Sequence, residues 1–154
     1  MGKETLLFHG SNRGLEGLGL CLETGNPLGE RGIYQNGLNS GQETSLTPNP
    51  KYAIHWGYDV LLVTNLENLL NCSTITELYS NGPSICKFKG SLPSDKIIAM
   101  FLDSLRLSSA PKDFLEKVKL KFPKTKIYSY SPDEHEEDGN LPYEIFQSLL
   151  AINI

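Results

Sequence analysis

The chain opens with apolar, β-prone residues, Thr5 to His9, and stops at a polar, small-residue end, His-Gly-Ser-Asn. That pattern predicts a first strand. Gly10 to Gly41 holds most of the fourteen glycines, in runs such as GLEGLGL, GNPLGERG and NGLNSG. Such a glycine density resists a long helix. Loops are expected there, with one short helix around Arg31–Asn36 closed by Gly37. Leu15, Leu18, Leu20, Leu22, Leu28, Ile33 and Leu38 can anchor them. Thr44 to Thr47 reads as a short strand. Pro48-Asn49-Pro50 makes a turn, and Asn49 can cap a helix whose first residue is Pro50. That helix spans Lys51–Trp56 and ends at Gly57. Asp59–Asn65 is a buried strand, and Glu67–Asn71 a helical turn.

The second half is less regular. Ser84–Phe88 and, more firmly, Lys96–Leu102 read as strands. Phe114, Leu115, Val118 and Phe122 fall on one face of a helix over Pro111–Phe122. Lys126–Ser131 alternates like a strand. The acidic run PDEHEEDGN follows, and Pro142–Ile154 is apolar and β-leaning. No repeat is visible. The sum is a β-rich α+β domain spanning residues 1–154, without the regular alternation of a doubly wound sheet.

Composition narrows the class. The 154 residues suit one domain with a single core, and 39% hydrophobic with 21% charged residues is ordinary for a globular chain. A formal net charge of −4 argues against a broad basic face. Three cysteines, Cys21, Cys72 and Cys86, make an odd count with no CxxC, so a disulfide framework is not expected and a reducing compartment is. With His9, His55 and His135 they show no zinc spacing, so no metal is expected. There is no signal-peptide core and no membrane-length apolar stretch. The expectation is a cytoplasmic protein with no membrane partner. The lysines at 117, 119, 121, 124 and 126 read first as the solvated face of a helix and its exit. They could help hold phosphates if the target were a nucleic acid.

His9-Gly10-Ser11 could be a strand end satisfied by a neighbouring carbonyl. The later segments favour a site. FHGS at 8–11, NGL at 36–38, SLTPNPKYA at 45–53, VLLVTNL at 60–66 and YEIF at 143–146 follow in order. In this order and spacing the chain resembles the ADP-ribosyltransferase fold family of the diphtheria-type toxins and poly(ADP-ribose) polymerases. The resemblance implies a split antiparallel β-sheet core with short helices. It also implies an NAD⁺-dependent mono-ADP-ribosyltransferase, of the kind found in toxins, phage proteins and effectors, which transfers ADP-ribose to a protein or nucleic-acid target and releases nicotinamide. A neutralising partner protein is a further implication.

By that resemblance His9 holds the adenine-side ribose and Gly10 the nicotinamide carboxamide. Tyr52 stacks on the nicotinamide ring, and Ser11, Ser45 and Thr47 complete the NAD⁺ contacts. Glu144, acting with His9, stabilises the cationic transition state. Such a carboxylate lowers the barrier because it meets a charge that develops only there. Two registers stay open for the second motif, since GERGIY at 29–34 would put Tyr34 where Ser45 is preferred. Glu134, Glu136 and Glu137 lie near Glu144 in a surface turn, and Glu144 itself could be an edge-strand charge. Trp56, the single tryptophan, is expected to anchor the core. An RNA 2′-phosphotransferase-like enzyme ranks lower, because only Arg13, Arg31 and Arg106 are available to hold phosphate. A catalytically inactive binding module of the same fold is the alternative from another class.

Overall fold

The computed structural model describes residues 2–11, 28–29, 43–57, 59–80 and 85–130. Among them lie eight strands in two sheets. The first sheet has the order β1-β4-β7-β8, formed by β1 Leu6–Ser11, β4 Val60–Asn65, β7 Ala99–Asp103 and β8 Lys126–Tyr130. Its first two pairings are antiparallel, and β7 with β8 is parallel. In the second sheet β6, Cys86–Leu92, is central. β3 Thr44–Leu46 and β5 Ile75–Ser80 flank it on its two edges along Cys86–Phe88, and β2 Leu28–Gly29 pairs with its end at Ser91 and Leu92. All three pair with it antiparallel. The helices are α1 Pro50–Trp56, α2 Leu66–Leu70, α3 Ser104–Ser108 and α4 Phe114–Lys121. None of the described helices is long and apolar enough to cross a membrane.

The first sheet is the middle layer. Alternation along β1 and β4 divides their side chains between two cores, as the pleat requires. Leu7, Val60 and Leu62 join Leu46, Phe88, Met100, Leu102, Val118 and Phe122 on one face. Phe8, Leu61 and Val63 join Ala53, Ile54, Phe101 and Tyr130 on the other, where α1 packs. The side chains expected on one face of α4 all serve the first core: Val118 and Phe122 are buried there, with Phe114 and Leu115 against them. Burying side chains of this size stabilises by about 1.5–3 kcal/mol each.

Most elements lie where the hydrophobic pattern puts them. β5 and α3 fall in stretches that the pattern left unassigned, and β2 falls in the Gly-rich stretch read as loops. β1 runs two residues past His9, because Gly10 and Ser11 still pair with Leu61 and Val60. The expected helix at 31–36, the second-motif candidate Tyr34, the acidic run and the segment carrying Glu144 lie outside the described residues.

Two features join the layers. Thr47 bridges Phe8 with a reciprocal pair of backbone hydrogen bonds, Phe8 N to Thr47 O at 2.7 Å and Thr47 N to Phe8 O at 3.0 Å. This is the seam between the sheets. Then Pro48, with no N–H to donate, turns the chain away from β1. The Thr47 hydroxyl accepts the Asn49 N–H at 3.1 Å, the Asn49 side chain accepts from Lys51 N at 3.0 Å, and Gly57 N closes α1 on Ala53 O at 3.1 Å. The helix so aimed lands on Gly10. A Cβ there would fall on the Ala53 and Gly57 carbonyl oxygens.

Gly10→Ala therefore cannot be relieved by a side-chain rotation, since both obstacles are backbone. The expected cost is about 3 kcal/mol, which lowers the thermal midpoint by roughly 6–12 °C. Calorimetry of the two proteins checks it, and an unchanged midpoint would show that α1 moves aside freely.

Candidate active site

The cleft opens where the sheets part. Beyond the Phe8–Thr47 bridge, β3 leaves β1 to pair with β6, Ser45 opposite Lys87 and Leu46 opposite Cys86. His9 spans the gap: its Nδ1 lies 2.6 Å from the Ser45 carbonyl oxygen. A carbonyl only accepts, so Nδ1 carries the proton and Nε2 is the basic nitrogen of the neutral ring. The imidazole is 2% exposed. Burial lowers its pKa to about 4, against a smaller upward effect of the Ser45 hydrogen bond. At neutral pH His9 is thus an uncharged hydrogen-bonding group held in one tautomer.

A pocket of about 440 Å³ lies at this point, lined by His9, Glu43, Ser45, Trp56, Ile85 and Lys87. Its walls come from β1, β3, β6 and the last residue of α1. Glu43 accepts a hydrogen bond from the Tyr79 hydroxyl, which lowers its pKa; desolvation opposes this, and Lys87 and Lys89 add to the lowering. The same bond pushes the Tyr79 pKa up to about 12. Lys87 Nζ stands 3.7 Å from Glu43 Oε2.

The residues singled out from sequence divide into three groups. His9 and Ser45 both line the pocket. Gly10 lies on the opposite face of β1, under α1, where its missing side chain lets the helix approach. Ser11 is buried at the end of β1, and Thr47 is fully buried with its hydroxyl engaged in the turn. Tyr52 is 47% exposed and not among the lining residues. Glu144 lies outside the described residues.

Trp56 corrects an expectation. Read as a core anchor, it is 40% exposed and forms one wall of the pocket. The buried face of α1 is only Ala53 and Ile54. At about 100° per residue, Trp56 points some 200° away from Ile54. Glu43 and Lys87 were not singled out from sequence. The available signal was the alternation of CKFKGSL, which places Lys87 and Lys89 on the face opposite Cys86, Phe88 and Leu92.

A scan against protein-family models and a search of the curated proteins found no match. Among solved structures the chain is similar to DarT from Thermus sp. 2.9, an ADP-ribosyltransferase determined in complex with carba-NAD⁺. The TM-score is 0.52 at 13% sequence identity, over 86% of this chain and 98% of that one. The chain has an ADP-ribosyltransferase-type fold.

The buried imidazole makes stability depend on pH with a definite sign. In the unfolded chain the ring takes a proton near pH 6.5, and in the folded chain only near pH 4. Above pH 6.5 the group costs nothing. As pH falls to 4 the unfolded state gains protons first, so His9 alone removes about 3 kcal/mol of stability. An NMR titration of the folded protein should show the His9 ring neutral to near pH 4; protonation at pH 6–7 would contradict its burial.

Proposed function

We propose that this chain is an NAD⁺-dependent mono-ADP-ribosyltransferase. The observation that carries the reading is the buried, neutral His9, fixed by the Ser45 carbonyl on the wall of a pocket at the seam of the two sheets. Similarity in fold to DarT in complex with carba-NAD⁺ supports NAD⁺ as the substrate. The bond between the ribose C1′ and the nicotinamide nitrogen breaks, and a bond from C1′ to the acceptor forms as the acceptor gives up a proton. The bond-breaking step leaves positive charge on the ribose.

In this reading His9 accepts a hydrogen bond from a ribose hydroxyl at Nε2, and its fixed tautomer orients the sugar before reaction. Of the further NAD⁺ contacts that the family resemblance implies, Ser45 shares the pocket wall with His9, whereas Gly10, Ser11, Thr47 and Tyr52 are not among the lining residues. Glu144 is the carboxylate that meets the developing cation. Trp56 adds a planar wall suited to an aromatic ring of the ligand. The acceptor is a macromolecule, protein or nucleic acid.

Incubation with labelled NAD⁺ and a cell lysate tests this. Wild type should release nicotinamide and label a product. Glu144→Gln should be slower by at least about tenfold, the scale of losing one transition-state contact. Background signal from both proteins, with no NAD⁺ binding, would sink the enzyme reading.

A further inference from the structure

We propose that Lys87 is an anion-binding residue of the cleft and that Glu43 is its displaceable counter-ion, capping a phosphate subsite until an anion takes its place. The inference rests on the nucleotide reading above only for which phosphate ligand enters.

Among the described lining residues Lys87 carries the one positive charge and Glu43 the one negative charge, since His9 is neutral. The Lys87 stem is packed into the wall, with its side chain 25% exposed. Cross-strand neighbours flank it, Ser45 on β3 and Tyr79 on β5. Its ammonium therefore stays at the cleft. The 3.7 Å separation from Glu43 is longer than the 2.7–2.9 Å of a charge-assisted hydrogen bond. Exposed pairs of this kind are weak, about 0.2–1 kcal/mol.

The exchange leaves neither partner stranded. A phosphate offers Lys87 a full charge at hydrogen-bonding distance. Glu43 keeps the Tyr79 hydroxyl and the field of Lys89 when Lys87 turns away. Lys89 itself is 3.4 Å from Glu77 on the same sheet face, so it stays with that wall. The ligand class is a nucleoside diphosphate or dinucleotide. Its pyrophosphate reaches Lys87, and its ring system reaches Trp56 in the same pocket.

Trp56 is the chain's single tryptophan, so its fluorescence reports on the cleft directly. ADP-ribose, NAD⁺, ATP and nicotinamide are titrated against wild type, Lys87→Ala, Lys87→Arg and Glu43→Gln, with thermal midpoints confirming folding. Lys87→Ala should weaken ADP-ribose about tenfold, and Lys87→Arg should recover most of it. Glu43→Gln should tighten it about two- to five-fold, because a competing carboxylate is gone. Nicotinamide, which has no phosphate, should be unaffected throughout. Equal ADP-ribose affinity in wild type and Lys87→Ala, or weakening by Glu43→Gln, overturns the subsite and leaves the NAD⁺ reading intact. ATP binding in the predicted variant order, with no binding of NAD⁺ or ADP-ribose, supports the subsite and overturns the NAD⁺ reading. Failure of wild type to bind any of the phosphate ligands overturns the subsite.

Discussion

The structure depends on one short seam, the pair of backbone hydrogen bonds between Phe8 and Thr47. β1 pairs along one edge with six residues of β4, and on its other edge, among the described residues, this bridge ties it to β3's end. Continued pairing would have set His9 opposite Leu46 and Gly10 opposite Ser45, closing the gap with backbone. Instead β3 gives its residues to β6, and the His9 ring crosses the space that is left. The cleft is thus an interrupted β-ladder. On the other side of the bridge, toward Leu7, pairing is ended by Pro48, which cannot donate to a ladder, and by the turn that Thr47 and Asn49 stabilise with their side chains.

The same seam sets the chemistry of His9. A histidine at a solvated strand end samples both tautomers and a protonated form near neutral pH. Enclosed by the two sheets, this ring loses the charged form to desolvation and one tautomer to the Ser45 carbonyl. Folding thereby selects a neutral acceptor in a set orientation. At neutral pH such a group positions a ligand and does not act as a general acid, because its proton is already committed to a backbone oxygen.

What could be read from sequence was the part written in local chemistry. Asn49-Pro50 and Gly57 mark α1, and their hydrogen bonds are formed. The apolar runs of β4 and β7 mark the middle layer. What could not be read depends on partners distant in the chain. β1 extends through Gly10 and Ser11 only because Leu61 and Val60 lie beside them. β5 has no wholly buried residue and exists through its pairing with β6. Trp56 misled because hydrophobicity alone puts a lone tryptophan inside, while a seven-residue helix with two buried side chains has no room for a third two positions later. His9 and Ser45 share one wall as the motif order implied, yet the contact is made by the Ser45 carbonyl, which carries no sequence signal.

The character of the cleft's polar wall is a matter of register. β6 alternates strictly: Cys86, Phe88 and Leu92 face the core, and Lys87, Lys89 and Ser91 face outward. A slip of one residue would bury both lysines and expose Phe88. The register is held at Gly90, whose φ of +107° is a conformation that side chains resist. Its missing Cβ also admits the Thr74 carbonyl, opposite the irregularity between Ile75 and Glu77. Around it the Thr74 hydroxyl donates to Ser91 O at 2.6 Å, and Ser91 N donates to Thr74 O at 3.1 Å. A charge lining the cleft is therefore fixed by a glycine three residues further along the same strand. Because the outward row of Glu43, Lys87, Lys89 and Glu77 is partly exposed and its pairs are 3.4 Å or longer, its ion pairs add little to stability. That weakness leaves the cleft's charges able to change partners without disturbing the fold that presents them.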